Sequence, residues 1–185
     1  MSFVRFPVPR VAFGFAAWCA IASAACSDPV PPAARGAFTA LFGNAPGNSC
    51  PATTPSPKLS VGVVTEYDKA TVADGDGATV SCKVAPISGG LAAEGSIVSG
   101  TTSFSMSNVT ILGDTGTGNV RLRGANTTGT YAPSTNTSCS FKLLQGDSGR
   151  IWTKFECPTM EIPGQPNSLC AVYGGIAVFE NCATE

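Results

Sequence analysis

Cysteine is the residue that could do the most chemistry in this chain. It occurs as Cys19, Cys26, Cys50, Cys82, Cys139, Cys157, Cys170 and Cys182. A thiol can ligate a metal, act as a nucleophile, carry a lipid or close a cross-link. Zinc sites gather cysteines at C-x-x-C spacing. No such pair occurs here, so no metal is expected. The chain has no histidine, which excludes Ser-His and Cys-His catalysis and His-based zinc sites. Cross-linking and lipidation are the uses that remain.

The other reactive groups assemble no motif. Glu66, Glu94, Asp114, Asp147, Glu156 and Glu161 include enough carboxylates for a glycosidase pair. Such a pair is defined by a separation of roughly 5–10 Å in space, and sequence spacing selects no two of them. A hydrolase of cell-wall or extracellular polysaccharide is therefore an alternative reading, and a small inhibitor of a secreted enzyme is another. Asp68, Asp74 and Asp76, with the run D-G-D-G, suggest a calcium loop. They lack the glycine and glutamate positions of an EF-hand, so a plain turn is the reading. No catalytic residue and no cofactor is assigned. Trp152 falls on the polar side of an alternating strand, where an exposed ring could stack a sugar or a peptide. Arg121 and Arg123 share a face at strand spacing and could grip an anion. These three are the candidate binding residues. The net charge is −1 and no basic run is visible, so no nucleic-acid partner is expected.

Arg5 and Arg10 precede an apolar run from Val11 to Ala25. Fifteen residues are short of the roughly 20 that span a bilayer. A basic start, a short apolar middle and small residues at the end describe an export signal. Ser23-Ala24-Ala25-Cys26 resembles the lipobox of bacterial lipoproteins. The resemblance implies that Cys26 receives a lipid and becomes the first residue of the mature chain, which then reaches the membrane through that lipid. Ser27 after the cysteine resembles lipoproteins sent to the outer membrane, facing the periplasm or the surface; plain secretion is the alternative. With Cys19 removed and Cys26 lipidated, six cysteines remain and can pair completely, which suits an oxidising compartment. The division is 1–25 signal, 26–35 lipidated cysteine and Pro-rich tether, and 36–185 a single β domain.

The elements that would position these groups read as strands. Only 12% of residues are charged, while glycine and proline number 21 and 14. That balance, with abundant Thr, Ser and Val, favours strands and turns over helices. Asn136–Pro158 reads as a central hairpin. Cys139, Phe141, Leu143, Ile151, Phe155 and Cys157 face one way; Ser140, Lys142, Trp152, Lys154 and Glu156 face the other. Further strands are expected at Gly36–Phe42, Leu59–Thr65 (with Leu59, Val61 and Val63 inward), Thr79–Val84, Leu91–Ser99, Thr101–Leu112, Asn119–Gly124, Gly129–Ala132 and Ile176–Phe179. A phase slip at Ser107-Asn108 predicts a bulge. About eight short strands at sandwich spacing predict an all-β, two-sheet antiparallel β-sandwich, Ig-like or jelly-roll-like, with a small β-barrel as the alternative. Six cysteines allow 15 connectivities. Local geometry favours Cys139–Cys157, Cys170–Cys182 across a Gly-Gly turn, and Cys50–Cys82.

The lipobox-like end, Gly149–Pro158 (GRIWTKFECP) and Phe179-Glu180-Asn181-Cys182 are together similar to small cysteine-containing bacterial lipoproteins of uncharacterised role. That resemblance implies a location and a β fold. The function expected is a membrane-anchored, non-enzymatic binding or structural domain with a protein or glycan ligand.

Overall fold

The computed structural model describes residues 30–53, 58–64, 71–125 and 127–184. The signal, Cys26 with its lipobox-like context, Glu66 and Asp68 lie outside the described residues. The strands are β1 (Arg35–Asn44), β2 (Lys58–Val61), β3 (Val72–Ala73), β4 (Thr79–Ile87), β5 (Gly90–Ser99), β6 (Thr102–Leu112), β7 (Thr115–Arg123), β8 (Ala132–Pro133), β9 (Cys139–Asp147), β10 (Arg150–Ile162) and β11 (Gln165–Glu180). All fall in the unit Pro32–Glu185.

The sequence makes hairpins at five places by the same device. Ser88-Gly89, Gly100-Thr101, Gly113-Asp114, Ser148-Gly149 and Pro163-Gly164 each join two strands, and each glycine has positive φ. Two-residue loops need such a residue to match the twist of the strands they connect. The ladder runs β2-β1-β11-β10-β9-β7-β6-β5-β4, with β3 on β1 and β8 on β10. All pairings between named strands are antiparallel. β8 and β9 together fill the gap between β7 and β10, since Tyr131 bridges Leu122 while Pro133 pairs with Met160.

One ladder therefore replaces the two separate sheets expected of a sandwich: the sheet is a single curled one, a half-barrel. Its inner face shows the curl. Phe104 on β6 lies 4.9 Å from Phe38 on β1, 5.5 Å from Phe155 on β10 and 6.1 Å from Phe179 on β11, centroid to centroid. Strands that are distant along the ladder meet there only because the sheet rolls over itself. The Asp74–Gly77 turn helps hold the roll. Asp74 N–H donates to Ala34 C=O at 2.8 Å, and its carboxylate accepts Val80 N–H at 2.9 Å. The D-G-D-G run is a turn, and its first carboxylate serves the backbone.

The predicted faces of the central hairpin hold: Cys139, Phe141, Ile151, Phe155 and Cys157 are buried. The phase slip also holds, because the β6–β7 register shifts between Ser107 and Thr110 and Asn108 has φ 52°. Val63 is a correction. β2 ends at Val61, Gly62 turns the chain at φ 71°, and Val63 is left 59% exposed.

The disulfides are Cys139–Cys157, as expected, with Cys50–Cys170 and Cys82–Cys182. The last two correct the local pairing. Gly174 and Gly175 do not turn; they lie inside β11, a strand of 16 residues. Cys170 and Cys182 are thus twelve residues apart, about 40 Å along extended chain, whereas a disulfide needs Cα atoms within about 7 Å. Instead Cys170 holds the loop after β1, and Cys182 carries the C-terminal segment onto β4. There Ala183 bonds Val84 N–H and Cys82 C=O. With Asp74 on Val80 and Pro86 lacking an N–H, much of the open edge of β4 is blunted against pairing with another chain.

Candidate functional site

Along β1 the residues 35, 37, 39 and 41 point outward, and register aligns them with β11 and β10. At one end Arg35 stands opposite Glu180, Glu180 opposite Arg150, and Arg150 opposite Asp147 on β9. Signs alternate across four strands. The Arg150 guanidinium reaches Glu180 at 3.4 Å. These groups line an open polar cleft of about 580 Å³ with the Ser148-Gly149 turn and Asn181.

The next row inward is Ala37, Val178 and Trp152. Trp152 does lie on the outer face, but it is 3% exposed, which corrects the expected stacking platform. It packs with Ala37 and Val178, with Val64 and Ile176 against them, and the Arg150 guanidinium carbon lies 5.7 Å from its ring centre. An indole enclosed by aliphatic side chains and a cation holds the sheet's outer layer together.

An exposed aromatic ring does exist, on Tyr173. In the β1–β11 register Leu41 pairs with Gly174 and Phe42 with Val172, so Tyr173 is the extra residue of a β-bulge. Bulges re-aim a side chain. Here the ring is turned over β1 at Gly43, where a Cβ would meet it at 2.7 Å, so glycine is what lets the ring lie close. Its hydroxyl donates to Asn44 C=O at 2.6 Å. Asn44 is held in turn, since its side-chain oxygen accepts Cys50 N–H at 2.9 Å and Cys50 is bonded to Cys170 on β11. The ring is thus fixed at both ends and still 56% exposed.

Beside it runs a groove of about 520 Å³. Gly174 and Gly175 form its floor, Leu41 and Tyr173 one wall, and Lys58, Lys154 and Glu156 a charged rim. Gly175 must stay glycine for the core as well, since a Cβ there would meet the Phe155 ring at 2.4 Å. A flat floor, a fixed ring and hydrogen-bonding groups at the rim can hold the apolar face of a sugar while bonding its hydroxyls.

Arg121 and Arg123 are exposed on one face of β7, as expected, opposite Ser105 and Ser103 of β6. They do not join Trp152. Of the carboxylates, Asp147 enters the polar cleft with Glu180, and Glu156 the groove. Glu94 lies on β5, Asp114 in the β6–β7 turn and Glu161 near the end of β10. Sequence reasoning missed Tyr173. The available signal was Tyr173-Gly174-Gly175, an aromatic beside two residues too small to cover it. Comparison with protein-family models, curated proteins and solved structures finds no match.

Proposed function

We propose that this chain is a lipoprotein of the cell envelope, anchored in the outer membrane through a lipid on Cys26, whose β domain is a non-enzymatic binding module. The groove at Tyr173 is its binding site and a glycan its ligand. The carrying observation is the ring of Tyr173, fixed by Asn44 and Gly43 yet left uncovered beside a glycine floor. A ring that served only packing would be buried, as that of Trp152 is. Three disulfides favour an oxidising, extracytoplasmic compartment. The tether also suits the reading: β1 begins at Arg35, directly after the Pro-rich segment, and Leu41 lies six residues further on, about 20 Å along the strand. The curled sheet favours the small-barrel alternative over the sandwich.

Two measurements test this. Intact mass of the envelope-purified protein should show an acylated chain starting at Cys26, and an unmodified leader would rule out the anchor. A glycan array should give binding with wild-type protein that is lost in Tyr173→Ala; an array on which the two proteins behave alike would rule out the site.

A second reading has one observation in its favour. Asp147 and Glu180 share the polar cleft, as a carboxylate-based glycoside hydrolase would require. A general acid usually works from an apolar pocket, whereas Glu180 is paired with Arg150. Binding is therefore preferred. Cleavage of a wall polysaccharide that Asp147→Asn and Glu180→Gln each abolish would reverse that preference.

A further inference from the structure

β4 is the last strand of the ladder, so one of its edges has no neighbouring strand among the described residues. That edge presents Val80, Cys82, Val84 and Pro86, and each part of it is covered differently. Val80 N–H donates to the Asp74 carboxylate. Pro86 has no N–H to offer. Between them, Ala183 C=O accepts Val84 N–H at 2.9 Å and Ala183 N–H donates to Cys82 C=O at 3.0 Å. The first two covers belong to β4 and the turn before it. The third is a strap, Cys182–Thr184, that arrives from the other end of the chain. β11 ends at Glu180, and Asn181 turns the chain at φ 56°, a left-handed backbone that asparagine tolerates.

The strap is held on β4 by the bonds of Ala183, by Cys182 N–H donating to Gly149 C=O at 2.8 Å, and by the Cys82–Cys182 bridge. A few terminal residues with so few hydrogen bonds fray unless they are tied down, so the bridge is the decisive tie. It is also the most accessible of the three. Cys139, Cys157 and Cys170 are 0% exposed and Cys50 2%, whereas Cys182 is 8% exposed and Cys82 only partly buried. Cys182 lines the open polar cleft at the Ser148-Gly149 turn, and Cys82 lines a second hollow of about 340 Å³. Thiol–disulfide exchange requires such access.

We propose that Cys82–Cys182 is a redox-sensitive latch on the edge of β4, opened by a dithiol while the other two bridges stay closed. A thiolate of the dithiol attacks Cys182 Sγ from the cleft; the Cys82–Cys182 bond breaks and Cys82 leaves as a thiolate, which takes up a proton. The second thiol of the dithiol then displaces Cys182 as a thiol. Two electrons and two protons pass to the bridge, and the dithiol ends as a disulfide. The strap leaves, and the middle of the edge, Cys82 C=O and Val84 N–H, is uncovered. The latch is independent of the glycan reading of the groove.

The test treats the purified, fully oxidised protein with limiting dithiothreitol, alkylates the new thiols and maps them by mass spectrometry. Cys82 and Cys182 should be labelled about 10-fold or more ahead of the other four. Amide exchange on the singly reduced protein should be at least about 100-fold faster at Val84 and Ala183 than in the oxidised protein. Leu122 and Tyr131, which bond each other across β7, should stay as slow as before. C82S/C182S should match the singly reduced protein and ignore the reductant. Labelling of all six cysteines together, or of another pair first, would overturn the latch, and so would a Val84 amide that stays slow after reduction. Fast exchange at Leu122 and Tyr131 as well, or a C82S/C182S protein that does not fold, would make the bridge a support of the whole fold and overturn it too.

Discussion

The outer face of β1, β11 and β10 treats its two aromatic residues in opposite ways. At the Arg35 end, Trp152 is packed with Ala37 and Val178, with a cation over its ring. Toward the other end, Tyr173 is anchored as firmly, by a bulge, a hydrogen bond and a close approach to Gly43, and yet it is left open. Covering an aromatic ring stabilises a protein, whereas fixing one without covering it leaves a surface ready to bind at little cost in ordering. On the proposed reading, the difference separates a structural end from a ligand-presenting end of one continuous sheet.

The largest expected effect comes from the disulfide nearest the open ring. Cys50–Cys170 spans 120 residues and Cys139–Cys157 spans 18. By the chain-entropy model their removal as Ser pairs should cost about 5 and about 3 kcal/mol respectively. Urea denaturation of each mutant checks the order. Only the first should also weaken ligand binding, because only it holds Asn44. Next, Trp152→Ala should lose about 3–5 kcal/mol of stability in the same assay while ligand affinity stays within about 2-fold. A comparable loss in Tyr173→Ala would erase the contrast between the two ends. Tyr173→Phe is smaller: it removes the bond to Asn44, costs about 0.5–1.5 kcal/mol or less, and should lower affinity by letting the ring swing.

The smallest effect is a pH dependence at Tyr131. Tyr131 is 1% exposed, and burial pushes its hydroxyl above its ordinary value of 10.0. The folded state then holds this proton more tightly than the unfolded chain does. Its contribution to stability is full below about pH 10 and is lost as pH rises through the folded value. Urea midpoints taken between about pH 9 and pH 11 should fall for the wild type and fall less for Tyr131→Phe.

Much of the fold was legible because period-2 alternation and turn chemistry act locally. Cys139, Phe141, Ile151, Phe155 and Cys157 were placed on the inner face from alternation alone, and the Asn108 bulge from a break in it. What could not be read depends on partners far away in sequence. Gly174-Gly175 has the composition of a turn, but pairing of β11 on both sides with β1 and β10 holds it extended. That one misreading also produced the mistaken Cys170–Cys182 pair. Trp152 was assigned to the correct face, but its cover, Val64, comes from a segment distant in sequence. The curl of the single sheet was hidden for the same reason, since strand alternation says which residues face inward and not how far the sheet rolls. The arginines on β7 were visible by spacing but lie outside the groove, whereas exposure of Tyr173 is a result of register.

Mapping the bound ligand by nuclear magnetic resonance tests the contrast most directly. Titrating a glycan that binds into the isotope-labelled protein should shift the backbone signals of Leu41, Gly43, Gly174 and Gly175 and leave Gly149 and Asn181 in place. Shifts gathered at Gly149 and Asn181, with the glycine floor unmoved, would contradict the assignment of the open end as the binding end.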